Sequence, residues 1–465
     1  MHTKVQTESA GEIHLLPPMS LLALSGALLP TALTPPSPLS LLSSIERASF
    51  SLDREREGIV RRLKQQLSPD GDELDQLSLS DYALPAGCAV AITGANAGIG
   101  LESAVFLAEA GYAPIVCART DAKAEQTVEA IKARVGPDAA VAGVTLDLSC
   151  FESAEAGGEA IVAAADSLGV PLRGLLLNAG VWPTEKRVTR DGLQEGLQVC
   201  HVSHQQLAQA LLPTLCDGEM PQGRESRIVT VSSSAHALTD SVNTDDPAWE
   251  ARAWDSSTAY GESKLANQLM AQELARRAPS RALTSLAVHP GVIPGTELFR
   301  EFLPPAPTAG FGYPLPMTGP AFDAALRRFG DAVTSSPPAR LAFKDAKAGS
   351  RTSLYALLAP GLPNGAYLSD LAVTDVAPAA KDARAREALW AWTESWLEAQ
   401  RARRAATAAV VDEAPPAPIE ADDTDGASPA APTAEAESEE EDADAREETA
   451  TEQPAPDDPT TDEVS

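Results

Sequence analysis

Residues 88–100 read CAVAITGANAGIG. The apolar run Cys88 to Thr93 passes directly into a turn holding Gly94, Gly98 and Gly100, and Leu101 to Ala110 then carries helical spacing. A buried strand that turns on glycines into a helix is where a dinucleotide pyrophosphate is held. The glycines let the backbone turn tightly and approach the phosphates, and the helix N-terminus offers free N–H groups and a positive partial charge. The spacing departs from G-x-G-x-x-G, so its weight comes from its place between strand and helix. Gly94, Asn96, Gly98, Ile99 and Gly100 are therefore the first candidates for cofactor contact.

The same alternation continues outward from this turn. Short apolar runs fall at Ala113–Ala118, Val141–Leu146, Leu172–Leu177, Arg227–Val231 and Leu283–Val288. Helical stretches separate them at Leu101–Ala110, Ala122–Val135, Ser153–Ser167, Gly192–Leu212 and Thr258–Arg277. Strands alternating with helices predict βαβ units, hence a doubly wound parallel sheet in an α/β domain over residues 85–405. Near-continuous apolar runs such as Gly174-Leu175-Leu176-Leu177 fit strands buried on both faces. Residues 1–80 read as an irregular extension with one helix over Ser44–Leu67, closed by Pro69. Residues 406–465 are rich in Ala, Pro, Glu, Asp and Thr and are expected to be a disordered acidic tail, because they cannot bury enough surface to offset ordering entropy.

Charge sharpens this division. Of the formal net charge of −30 over 465 residues, Asp412 to Glu463 carries most, with about 20 acids against one base, Arg446. No cluster of Lys and Arg suits a nucleic-acid backbone, so nucleic acid is excluded as a partner. Five cysteines without a C-x-x-C pair suit a reducing compartment, and neither a disulfide framework nor a metal site is expected. His14 to Ile45 lacks formal charge, yet prolines leave Met19 to Leu29 as its longest uninterrupted apolar piece, too short to span a bilayer. A cytoplasmic protein is expected. Targeting to an organelle and association with a membrane surface through this segment stay open beside it.

A second motif is Tyr260-Gly261-Glu262-Ser263-Lys264 on the last predicted helix. The i, i+4 spacing puts Tyr260 and Lys264 on one face. A phenol is a poor acid or base at neutral pH, and an adjacent ammonium favours the phenolate. Alone, Y-x-x-x-K is common. Ser232-Ser233-Ser234 at the end of the strand Arg227–Val231 adds a hydroxyl that can hold a carbonyl oxygen.

The ordered set of glycine turn, strand-end serine and helical Tyr/Lys resembles the short-chain dehydrogenases/reductases, in their retinol-dehydrogenase-like and WW-domain-oxidoreductase-like branch. The resemblance runs from about Pro85 to Glu398. It rests on TGANAGIG (93–100), LDL (146–148), LNAG (177–180), RDGLQEGLQVCHVSH (190–204), RIVTVSSSAH (227–236), AYGESKLANQLMAQELARR (259–277) and HPG (289–291). It implies a Rossmann-type fold and a set of roles. Tyr260 is implied as the general acid or base, and Lys264 as the group that lowers its pKa and binds the nicotinamide ribose. Ser233 is implied to orient the substrate oxygen, with Ser234 as the neighbouring alternative. Asn178, Ala179 and Gly180 would border the cofactor, Asp147 and Leu148 its adenine, and Pro290 and Gly291 its nicotinamide.

Cofactor choice turns on Val116-Cys117-Ala118-Arg119-Thr120. A carboxylate at this strand end would bind the 2′-hydroxyl of NAD, whereas Ala118 and Arg119 favour the 2′-phosphate of NADP(H). One residue departs from the family: Cys200 stands where an asparagine normally supports a proton relay, and a thiol is a weak hydrogen-bonding group. His201 and His204 are expected to bond locally. The chemistry implied is hydride transfer between NADP(H) and an apolar, retinoid-like aldehyde or ketone or its alcohol, with a lid over Gly291–Tyr313. Two alternatives remain at this point. One is a non-catalytic dinucleotide-binding protein. The other is a pigment reductase, because Leu298-Phe299-Arg300-Glu301-Phe302 is similar to a segment of protochlorophyllide reductases.

Overall fold

The computed structural model describes residues 80–278, 283–294, 296–298 and 343–412, with residues 73–78, Phe50, Glu57, Gly58, Val60 and Arg61. Most of the N-terminal extension, the greater part of the expected lid and the acidic segment beyond Asp412 lie outside the described residues. The unit set out below is the one formed by residues 1–409.

Eight strands make one sheet. They are β1 (Ala89–Thr93), β2 (Ala113–Ala118), β3 (Ala142–Thr145), β4 (Leu172–Leu177), β5 (Ser226–Val231), β6 (Leu283–His289), β7 (Tyr367–Ser369) and β8 (Ala372–Thr374). Their order is β3-β2-β1-β4-β5-β6-β7-β8. The pairs from β3 to β7 are parallel, and β8 returns antiparallel to β7. The helices are α1 (Gly98–Glu109), α2 (Asp121–Val135), α3 (Phe151–Ser167), α4 (Ser203–Cys216), α5 (Ser256–Arg277), α6 (Ala346–Leu358) and α7 (Ala383–Asp412). This is the Rossmann-type, doubly wound parallel sheet expected from the sequence, and its order reverses between β1 and β4, where such sheets hold ligands.

The alternation within β1 shows why the sheet takes helices on both faces. Val90 and Ile92 join one core with Val105 and Leu107 of α1 and Leu354 and Leu357 of α6. Ala89 and Ala91 point the other way, into a core with Ile161 of α3 and Leu207 and Leu211 of α4. A strand of period two inserted between two helical layers buries every residue, and all five of β1 are buried.

Three features differ from the sequence expectation. The helix predicted over Gly192–Leu212 begins only at Glu195, because Gly192 holds a left-handed φ of +90° and the Gln194 side chain accepts the Leu197 N–H to start the helix. It then opens into a π-turn over Gln198–Val202, around Cys200, before continuing as α4. The β7–β8 hairpin has only three residues per strand, too few for a periodic signal. Helix α7 runs unbroken past Ala405, where the sequence suggested the fold ends, through an Ala-rich segment of high helix propensity.

Helix α7 is tied to α5 by charge. The buried Glu273 carboxylate accepts from Arg276 at 2.6 Å, Arg277 at 2.7 Å and Arg386 at 2.9 Å. Burial alone would raise this carboxyl, but the three guanidinium hydrogen bonds outweigh it and bring it down to about 2. Because the folded value lies below the unfolded one, the clamp stabilises the protein above about pH 4.3, the ordinary glutamate value. The contribution is lost as pH falls from there towards 2. Urea midpoints measured between pH 6 and pH 3 should therefore drop less steeply in Glu273→Gln, which starts less stable, than in the native chain.

Candidate active site

The carboxyl ends of the strands open into a cleft of about 520 Å³. The turn after β1 forms its floor. Gly94 and Gly98 hold φ of +64° and +57°, left-handed values that suit glycine alone. A Cβ on Gly94 would come within 3.0 Å of the Ala179 backbone, so only a bare backbone fits there. Thr93 ties this turn to β4. Its hydroxyl accepts from the N–H groups of Asn178 at 2.9 Å and Ala179 at 3.0 Å, and Asn178 Nδ2 donates to the Thr93 carbonyl at 2.9 Å. Gly94, Asn96, Gly98 and Ile99 line the cleft, as do Asn178, Ala179 and Gly180. Gly100 does not. A Cβ there would stand 2.5 Å from the Gly94 carbonyl oxygen, so its bareness sets the approach of helix to turn.

At one end of the cleft, β2 ends in Ala118 and Arg119, with Lys123 one helical turn further on in α2. The Arg119 side chain is 59% exposed and only loosely paired with Asp147, at 3.9 Å. Asp147 itself accepts from the Ser149 N–H at 2.9 Å and its hydroxyl at 2.7 Å, and Leu148 lines the wall beside it. Lys123 was not anticipated. Its signal was its place four residues after Arg119, in the first turn of a helix that follows the strand end.

At the other end, α5 is started by the Asp255 side chain, which accepts the Thr258 N–H at 2.7 Å, and this sets Tyr260 and Lys264 facing the end of β5. Ser233 lies against the Tyr260 phenol and works to lower its pKa, while its hydroxyl oxygen accepts the Ala235 N–H at 3.1 Å. Ser232 Oγ instead donates to the Lys264 carbonyl at 2.8 Å, and the Ser234 N–H donates to His289 Nδ1 at 3.3 Å. Of the three serines, Ser233 is thus the one that meets Tyr260. Lys264 Nζ donates to the Val231 carbonyl at 3.2 Å, a bond that Asn267 Nδ2 duplicates at 3.1 Å.

Burial raises the Tyr260 phenol above its ordinary value, the Cys200 thiol adds to this, and Ser233 opposes it. The Lys264 ammonium sits 5.5 Å from the phenol ring centre and donates to the Val231 carbonyl. Cys200 Sγ donates to the Val181 carbonyl at 3.7 Å, a long contact for a weak donor. His204 bridges Thr93 Oγ1 at 2.9 Å and the Cys200 carbonyl at 2.9 Å, while His201 meets Thr393 Oγ1 at 3.1 Å. Both imidazoles are fully buried, and burial lowers each to about 3, so they stay neutral.

Pro290 and Gly291 close the cleft after β6. Gly291 has φ +93°, and Lys344 packs against it where a Cβ would stand, while pairing with Asp370 in the β7–β8 turn at 2.7 Å. Of the expected lid, Gly291, Val292, Ile293, Thr296, Glu297 and Leu298 line the cleft, and Gly295 and residues 299–313 lie outside the described residues. Trp182, two residues past the Asn-Ala-Gly run, was also missed. Its indole stacks on the Tyr260 ring with centroids 4.2 Å apart and planes within 4°.

The glycine turn, the strand-end serine, the phenol and the helical lysine all line one cleft. The family model of the short chain dehydrogenases matches residues 88–305. The WW domain-containing oxidoreductase of Pongo abelii is 30% identical over 327 residues, covering 67% of this chain and 68% of that protein. This chain belongs to the short-chain dehydrogenases/reductases. Within the family, retinol dehydrogenase 12 of Bos taurus is 32% identical over 65% of this chain and 84% of its own length. Polyprenol dehydrogenase of Mus musculus is 33% identical over 64% and 81%. As a short-chain dehydrogenase/reductase of the retinol-dehydrogenase-like branch, it is an oxidoreductase of alcohols or carbonyls that works with a nicotinamide dinucleotide. No helix among the described residues is long and apolar enough to cross a membrane.

Proposed function

We propose that the chain is an NADP(H)-dependent reductase of apolar aldehydes or ketones. The observation that carries the proposal is the pairing of two ends in one cleft: a basic end with Arg119 and Lys123, and a proton-donating end with Ser233 and Tyr260. The left-handed glycine turn and the bare backbone at Gly94 fit a dinucleotide between them. Bound there, NADPH supplies hydride to the carbonyl carbon.

The chain's own groups do the rest. Ser233 and Tyr260 together hold the carbonyl oxygen, and Tyr260 gives it a proton. Burial raises the phenol and so favours the protonated form that a proton donor needs. Lys264 is proposed to bind the nicotinamide ribose, with Asn178 to Gly180 and Pro290–Gly291 bordering the ring. Asp147 and Leu148 are proposed to flank the adenine. An apolar substrate is supported by Val199, Leu298 and Trp182 in the cleft wall and by relatives named for retinol and polyprenol.

The cofactor preference is directly testable. Arg119 and Lys123 should favour NADPH over NADH by roughly 10- to 100-fold in Kd, the worth of a charged hydrogen bond of about 1.5–3 kcal/mol. Ala118→Asp puts a carboxylate at the buried strand end and should reverse the order. Fluorescence titration with both cofactors measures this. Tighter NADH binding by the native chain would contradict the reading of this strand end.

A further inference from the structure

Trp182 and Tyr260 bury each other: the two residues are 7% and 5% exposed, and their rings stack within 4° of parallel. The indole is fixed from several sides. Its Nε1 donates to Ser256 Oγ at 3.0 Å, and that hydroxyl donates onward to the Pro183 carbonyl at 2.7 Å. Ser256 opens α5, the helix that carries Tyr260, so wall and acid share one support. Ala235, Leu238 and Leu298 complete the small apolar cluster around the two rings. A stacked pair held in this way is a rigid surface, since aromatic stacking adds to the area it buries.

The consequence concerns which carbonyls reach the acid. One face of the phenol is covered by the indole, and Ser233 lines the cleft with it, so a substrate oxygen has to approach along the hydroxyl edge. Trp182 lines the same cleft. A substituent of the carbonyl carbon directed towards it meets a flat aromatic wall. Hydrogen or a slim unbranched group can lie against that wall. A group branched at the adjacent carbon cannot, without displacing an indole anchored at Ser256.

Resting on the reductase reading above, we propose that Trp182 is the specificity-determining residue of this site, admitting aldehydes and slim ketones and excluding carbonyls branched beside the reacting carbon. A single misplaced methyl or methylene in an apolar pocket costs about 10- to 200-fold in kcat/KM, which sets the scale.

The test compares the full chain with Trp182→Ala and Trp182→Leu. Each is given NADPH with an unbranched aldehyde and with a ketone branched beside its carbonyl. NADPH affinity and melting temperature are measured alongside. The ratio of kcat/KM for ketone over aldehyde is expected to rise about tenfold or more in both variants, with NADPH affinity unchanged. Trp182→Leu keeps apolar volume, so it carries the test if the alanine variant does not fold. An unchanged ratio in a folded variant overturns the role of Trp182 and leaves the reductase reading standing. A native chain that reduces neither carbonyl overturns both.

Discussion

Tyr260→Phe is expected to lose at least 10²- to 10⁴-fold in kcat, the usual range for removing a general acid, with NADPH affinity unchanged within twofold. The two effects separate because the residues do. The phenol oxygen meets Ser233 at one end of the cleft, whereas the glycine turn, Arg119 and Lys123 lie away from it. The ring itself remains, so the stack on Trp182 and the surrounding apolar cluster are kept and the fold has no reason to change. Single-turnover reduction of an aldehyde, with NADPH binding measured by fluorescence, reads both quantities. Wild-type turnover in this variant would remove Tyr260 from the mechanism whatever the fold.

Lys264→Met should damage turnover and cofactor affinity together. It keeps the buried apolar stem and deletes only the ammonium. The Val231 carbonyl is not orphaned, because Asn267 Nδ2 also donates to it at 3.1 Å, so stability should fall little. The expected loss is roughly 10-fold in NADPH Kd, the low end for a charge-assisted hydrogen bond, and about 100-fold or more in kcat. Steady-state kinetics with a parallel thermal melt distinguishes this from unfolding. A variant that binds NADPH like the native chain would detach Lys264 from the ribose.

Much of this architecture was legible in the residues because period and punctuation agreed. β1 and β2 are near-continuous apolar runs, and the turn after β1 carries glycines where left-handed backbone is needed. The ordered placement of Ser233, Tyr260 and Lys264 was equally readable, since helix spacing alone aligns the last two. What escaped depended on contacts across the fold. β7 and β8 are three residues each, and they are fixed by pairing with β6 and each other rather than by pattern. The π-turn over Gln198–Val202 holds Cys200, whose thiol meets the Val181 carbonyl, a contact with no periodic signal. The motif marks Gly100 but not the reason for its bareness, which is the close packing of helix on turn. Trp182 has no motif of its own, and only its stack on Tyr260 marks it.

Product formation tests catalysis in this cleft most directly. The native chain is incubated with NADPH and a set of apolar aldehydes and ketones, and alcohols are identified by mass spectrometry beside the oxidised cofactor. The predicted result is one alcohol formed per NADPH consumed with at least one aldehyde, and none with Tyr260→Phe. A native chain that binds NADPH tightly, yet forms no alcohol from any member of the set, would contradict it and mark the cleft as a dinucleotide-binding site without turnover.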